Sequence, residues 1–125
     1  MADSPLDDHF HNPRNTGLIE RPDATSRVEN PVCGDLMHLY LRLGSGGVVE
    51  EARFQVYGCP AAIAAGSVLT ELIRGRRLEE IRRLQESSID RALGGLGGEK
   101  AHAAVLAIDA LRTALAGLTT SGKRP

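Results

Sequence analysis

Between Met37 and Tyr57 apolar side chains recur at every second residue, and this period constrains the fold more than any other stretch of the chain. Met37, Leu39, Leu41 and Leu43 alternate with His38, Tyr40 and Arg42. After Gly44-Ser45-Gly46-Gly47 the alternation resumes, with Ala52, Phe54 and Val56 against Arg53, Gln55 and Tyr57. Successive side chains of a strand point to opposite faces, so the pattern predicts two strands with one buried face, joined as a hairpin at the glycines. A third strand is expected near Ser26 to Val32.

The period then becomes helical. Pro60 suits a first helical turn, and Ile63, Val68, Leu69, Leu72 and Ile73 mark the apolar face of a helix that stops at Gly75. Leu78 to Leu84 reads as a short amphipathic helix. Ser87-Ser88-Ile89-Asp90 has the Ser-x-x-acid spacing of a helix start leading to Leu93, and Gly94-Gly95-Leu96-Gly97-Gly98 breaks that helix. From Glu99 to Leu118 the residues Val105, Leu106, Ile108, Leu111, Leu115 and Leu118 form the buried stripe of a terminal helix. Residues 1–27 are polar and rich in turn formers, which predicts a largely irregular arm with a short helical turn around Leu6 to Phe10. Residues 119–125 are expected to fray. The length of 125 residues suits one domain, 1–125, of the α+β class, with strands first and helices gathered on one face.

With aromatic residues at 3% and no Trp, the core must be built from Leu, Val, Ile and Ala. The formal net charge of -1, with Lys and Arg scattered, offers no broad cationic surface for a phosphate backbone, so nucleic acid is not an expected partner. The Met1-Ala2-Asp3-Ser4 start lacks a basic and then apolar leader, and no apolar run is expected to reach membrane-spanning length. A cytoplasmic protein without a membrane partner is the expectation. There, two cysteines are free thiols or metal ligands more often than a disulfide.

Those cysteines stand in Cys33-Gly34-Asp35 and Tyr57-Gly58-Cys59-Pro60, and His102 opens the terminal helix. Each lies at a turn or element end that can meet the others at one end of the sheet. Thiolate, imidazole and carboxylate are the donors that hold zinc or an iron-sulfur cluster, and Gly34 and Gly58 let the backbone approach a ligand closely. Cys59 precedes a helix, where the positive dipole end is expected to lower its thiol pKa. Each donor also has a purely structural role open to it: a small buried residue for either cysteine, a turn cap for Asp35, a surface or capping residue for His102. His9, His11 and His38 are expected to face solvent or pack. The Arg74, Arg76, Arg77, Arg82 and Arg83 stretch reads first as a solvated helix end.

Several motifs in order carry a family resemblance over nearly the whole chain. They are His9-Phe10-His11-Asn12-Pro13-Arg14-Asn15-Thr16-Gly17, Cys33-Gly34-Asp35, Ala52-Arg53-Phe54 leading into Tyr57-Gly58-Cys59, Ala92-Leu93-Gly94-Gly95-Leu96, and Glu99-Lys100 with His102. In these the chain resembles the iron-sulfur cluster assembly scaffolds of the IscU type and the N-terminal domain of NifU. The resemblance implies a three-stranded antiparallel sheet with helices packed on one face. It implies an assembly protein rather than an enzyme, one that accepts sulfur from a cysteine desulfurase and passes a [2Fe-2S] cluster to apo-protein acceptors. A homodimer around a bridging cluster is one arrangement it allows.

Carried over position by position, the resemblance makes Cys33, Cys59 and His102 the ligands, with Asp35 as a carboxylate that can ligate and keeps a cluster labile, and Lys100 behind them. Zn2+ or a [2Fe-2S] cluster is the expected occupant. The chain departs from the pattern at Ala103, where the family has a third cysteine that accepts persulfide sulfur. It departs again at Leu96-Gly97-Gly98-Glu99-Lys100, where IscU types carry Leu-Pro-Pro-x-Lys for a chaperone, and at Ala2, where the family has an aromatic residue. Two other functions stay open: a protein-interaction module with structural zinc, and a zinc-dependent persulfide acceptor using Cys33 or Cys59.

Overall fold

The computed structural model describes residues 4–32 and 34–121. Cys33 therefore lies outside the described residues, as do the last four positions of the expected frayed tail. The chain forms helix α1 (Pro5–His11), strands β1 (Ala24–Glu29), β2 (Leu36–Leu43) and β3 (Val49–Tyr57), then helices α2 (Pro60–Ile73), α3 (Leu78–Ile81), α4 (Glu86–Ala92) and α5 (Ala101–Ser121). The sheet order is β1-β2-β3, antiparallel throughout.

The period-two stretch folds as the alternation requires. Leu39 pairs with Phe54 and Leu41 with Ala52, so their side chains share one face, and Met37, Leu39, Leu41, Ala52 and Phe54 are at most 1% exposed. Gly46 and Gly47, both near φ +75°, turn the hairpin in a left-handed conformation that glycine adopts without steric cost. The register slips between Arg42 and Leu43, a local bulge beside this turn.

The first strand lies earlier than the Ser26 to Val32 expectation. It ends at Glu29 because Asn30 turns the chain: its Oδ1 accepts from the Val32 N–H at 2.8 Å, and its carbonyl accepts from Gly34 N–H at 2.7 Å. A side chain that bonds the backbone two residues on competes with a ladder and wins here. This turn delivers Asp35 to the entrance of β2.

Helices α2 and α5 cover the inner face of the sheet, and α4 packs on α5. Helix α2 is buried nearly all round; its Ala61, Ala62, Ala64, Ala65 and Gly66 let α1, the sheet and α5 approach closely. A Cβ at Gly66 would sit 2.4 Å from the Phe54 ring, so the contact needs glycine. Ser26 Oγ donates to the Ala110 carbonyl at 2.7 Å and ties β1 to α5. Residues Ala101–Leu118 are long and apolar enough to cross a membrane, which corrects the sequence expectation that no run would be. More than half of that window, 56%, is buried inside the protein, so its apolar stripe is spent on the sheet.

The amino-terminal arm is more ordered than its composition suggests. Ser4 caps α1 by accepting from Asp7 N–H, and β1 already starts at Ala24. Between them Asn15, in the left-handed region at φ +62°, bonds both Thr70 and Arg74, while its carbonyl accepts from Phe54 N–H. The start of α4 also differs from expectation. Gln85 is the cap, Ser88 Oγ closes the box onto the Gln85 N–H, and Asp90 instead accepts from Leu96 N–H across the glycine turn. α5 continues through Ser121, three residues past the expected end at Leu118.

Candidate metal centre

Asp35, Cys59, Lys100 and His102 line one cavity of about 740 Å³ at the end of the sheet, with Leu6, Phe10 and His11 of α1 on its opposite wall. Three separate elements bring them there. The Asn30 turn places Asp35 at the foot of β2, the β3 to α2 junction places Cys59 as the residue capping α2, and the first turn of α5 carries His102. Pro60 at the first position of α2 fixes where that helix starts, and so where Cys59 stands.

Asp35 and Cys59 are neighbours on this cavity, near enough for the carboxylate to act on the thiol. Asp35 is only 8% exposed, and the closeness depends on Gly58, where a Cβ would meet the Asp35 carboxyl carbon at 2.5 Å. Glycine at this position leaves the space that the carboxylate fills. The turn role considered for Asp35 is seen in its backbone, whose carbonyl accepts from Asn30 N–H at 2.8 Å and closes the turn.

The electrostatics of Cys59 reverse the expectation drawn from the helix dipole. Cys59 is exposed as a residue, yet burial of the thiol is the largest influence on it and pushes its pKa up, with the neighbouring Asp35 carboxylate adding to the rise. Backbone N–H groups of Ala62 and Ala61 pull the other way and do not prevail. A neighbouring carboxylate acts through one short contact, whereas the dipole of a helix end is diffuse and screened.

Among the described residues no three of His, Cys, Asp and Glu are gathered closely enough to hold a metal ion as they stand. The described donors are still chemically suited to one: Cys59 offers a sulfur, Asp35 an oxygen and His102 a nitrogen on the same cavity. Ala103 is 3% exposed and belongs to the hydrophobic core. One residue on from His102 along the helix, it turns away from the cavity wall.

A scan against family descriptions matches residues 3–123 to the NifU-like N terminal domain. The chain belongs to that family. Curated relatives include the iron-sulfur cluster assembly scaffold protein IscU 1 of Archaeoglobus fulgidus, 46% identical over 108 residues, covering 86% of this chain and 70% of the relative. The IscU scaffold of Haemophilus influenzae is 40% identical over 112 residues, covering 87% and 88%. Among solved structures, the N-terminal part of a NifU-like protein from Brucella abortus superposes with a TM-score of 0.74 over 94% of both chains, at 20% identity. A putative scaffold for the SUF system from Fervidobacterium islandicum superposes at 0.63 over 90% of this chain and 85% of that one. These two likenesses carry the fold: a NifU-like three-stranded antiparallel sheet with helices, as the sequence resemblance implied.

The α1 wall of the cavity was not legible in advance. His9 and His11 look like one weak pair in sequence, but His11 lines the cavity while His9 is 7% exposed and held elsewhere. His9 Nδ1 lies 2.7 Å from Ser67 Oγ, and its Nε2 is 3.5 Å from Glu71. The same Ser67 Oγ accepts from Arg14 N–H at 2.9 Å. The signal available was the one-residue spacing itself, which on a helix sends the two rings in different directions.

Proposed function

We propose that this NifU-like chain is a scaffold for iron-sulfur cluster assembly, holding either zinc or a labile [2Fe-2S] cluster as its cargo through Cys33, Asp35, Cys59 and His102. The observation that carries the reading is the shared cavity: Asp35, Cys59 and His102 all line it, with the Asp35 carboxyl group packed into the space that Gly58 leaves beside Cys59. Family membership supports the scaffold role, and the relatives described above are iron-sulfur cluster assembly scaffolds. Two thiolates, an imidazole and a carboxylate match the tetrahedral preferences of zinc, and mixed Cys and His ligands also hold [2Fe-2S] cores. Lys100, exposed and lining the same cavity, offsets the negative charge of the thiolate and carboxylate ligands around such a cargo.

On this reading the chain acts as one domain in a cytoplasmic setting, is not itself an enzyme, takes sulfur from a cysteine desulfurase and passes clusters to apo-protein acceptors. A second copy can share a bridging cluster. Direct persulfide capture by Cys59 is the weaker alternative, because a thiol whose pKa is raised is mostly protonated at neutral pH and attacks slowly.

The test is elemental analysis for zinc, iron and acid-labile sulfide on anaerobically isolated protein, followed by reconstitution with iron and sulfide. Stoichiometric zinc, or charge-transfer absorption with matching iron and sulfide, is expected. Protein that takes up neither, while remaining folded by circular dichroism, refutes the reading.

A further inference from the structure

A second cavity, of about 480 Å³, lies on a different part of the molecule from the metal centre, where the segment around α3 meets the distal half of α5. Its floor is apolar: Ile81, Leu111 and Leu115 are each at most 3% exposed, and the half-buried Leu84 and the small Ala116 complete it. Arg82 and Arg112 line it from the two sides, and no carboxylate does. Both arginines are exposed, and among the described residues neither forms an ion pair, unlike Arg14, Arg42 and Arg53. Arg83 beside them is exposed too.

We infer that this groove docks an acidic segment of a partner protein, with one or two aliphatic side chains seated on the Ile81, Leu111 and Leu115 floor and flanking carboxylates on Arg82 and Arg112. Charge complementarity selects the occupant. Two guanidiniums facing one apolar slot match carboxylates on either side of an aliphatic anchor, and arginine forms bidentate pairs with carboxylates that a scattered lysine surface does not. The groove is open on its solvent side, which suits a peptide side chain entering from a larger body better than a small molecule that needs enclosure. It also gives a use to part of the arginine stretch that a solvated helix end leaves unexplained, since Arg82 sits at the groove wall. The inference does not depend on what the metal centre binds.

The test is a titration of the isotopically labelled full-length protein, followed by amide NMR, with the capped peptide acetyl-Asp-Glu-Leu-Ile-Glu-Asp-amide. Expected are saturable shifts centred on Arg82, Leu84, Arg112 and Ala116, in the millimolar range or tighter. Replacing Arg82 and Arg112 together, as Arg82→Glu and Arg112→Glu, is expected to weaken binding by about tenfold or more. The pair Arg82→Gln and Arg112→Gln is expected to do so by a smaller factor, with the spectrum elsewhere unchanged. A lysine-for-acid peptide and a serine-for-aliphatic peptide are both expected to fail. Absence of groove shifts at about 10 mM peptide, a dissociation constant far weaker than specific docking, overturns the inference. So does binding that survives both charge variants, or octanoate occupying the groove more tightly than the peptide.

Discussion

Two polar clusters flank α1, and they are built on opposite terms. On one side His9, Ser67, Arg14, Asp8 and Glu71 close on one another: Ser67 Oγ meets both His9 and the Arg14 N–H, and Arg14 bridges Asp8 at 2.8 Å and Glu71 at 3.6 Å. On the other side Cys59 and Asp35 stand side by side and open onto a cavity. Polar groups that pair with one another around a buried serine and histidine hold a helix in place, whereas donors left facing a cavity are free to bind something else. The comparison separates a histidine that fastens α1 from one, His11, two residues along, that faces the site.

That contrast is open to four tests. The largest effect is expected from Cys59→Ser, which should weaken zinc affinity by at least about a hundredfold, beyond the loss typical of residues behind the ligands. The melting temperature of the metal-free protein should stay unchanged. Competition against a chromophoric chelator measures the first, and a metal-free protein that melts much earlier would show that Cys59 belongs to the fastening kind after all.

Ser67→Ala should do the reverse. It strips both His9 and the Arg14 N–H of a partner at a fully buried position, and a loss of about 2 kcal/mol in denaturant unfolding is expected with zinc affinity intact. Equal stability in the variant would mean that this network does not hold α1.

Gly58→Ala should sharpen the geometry of the site. Its Cβ meets the Asp35 carboxyl group, so the Asp35–Cys59 contact must open, and zinc affinity should fall by about tenfold with only a modest change in stability. An unchanged affinity would remove Asp35 from the site.

The smallest effect concerns pH. Burial, then the charge of Arg14, holds His9 below its ordinary value of 6.5, with Glu71 and Asp8 opposing. The unfolded chain therefore binds a proton at His9 that the folded chain resists, so stability is full above pH 6.5 and declines as the pH falls below it toward the depressed folded value. His38 is lowered as well, by burial and by Arg27, and declines in the same window. His9→Gln should reduce, without abolishing, the slope of unfolding free energy against pH just below 6.5. A slope identical to that of the parent protein would show that His9 is not the group responsible.

The elements whose periods were strong came through almost unaltered. Alternation from Met37 to Tyr57 and the stripe from Val105 to Leu118 specify a buried face whatever lies opposite, because burial of apolar area favours the same partners at any register that keeps the face inward. Part of the candidate site was legible too: Asp35, Cys59, Lys100 and His102 are singled out by residue type and motif, and they line one cavity. What sequence missed was long-range. Helix α1 is only seven residues and its apolar positions Leu6 and Phe10 give too short a pattern to say where it lands. The Asn15 conformation depends on Thr70 and Arg74, more than fifty residues away. The direction of the Cys59 pKa differs from expectation because the position before a helix is visible in sequence, whereas the burial of the thiol and the Asp35 carboxylate beside it are not.

By itself, then, the sequence determined a sheet with one apolar face, helices to cover it, and a set of soft and hard donors at the ends of those elements, since period, glycine placement and residue chemistry are local properties. Only the tertiary structure decided which donors meet, which histidine faces the cavity, that Ala103 belongs to the core, and that Arg82 and Arg112 flank one groove. Each of those depends on the packing of elements distant in sequence, and distance across a fold is set by the whole core rather than by any stretch of the chain.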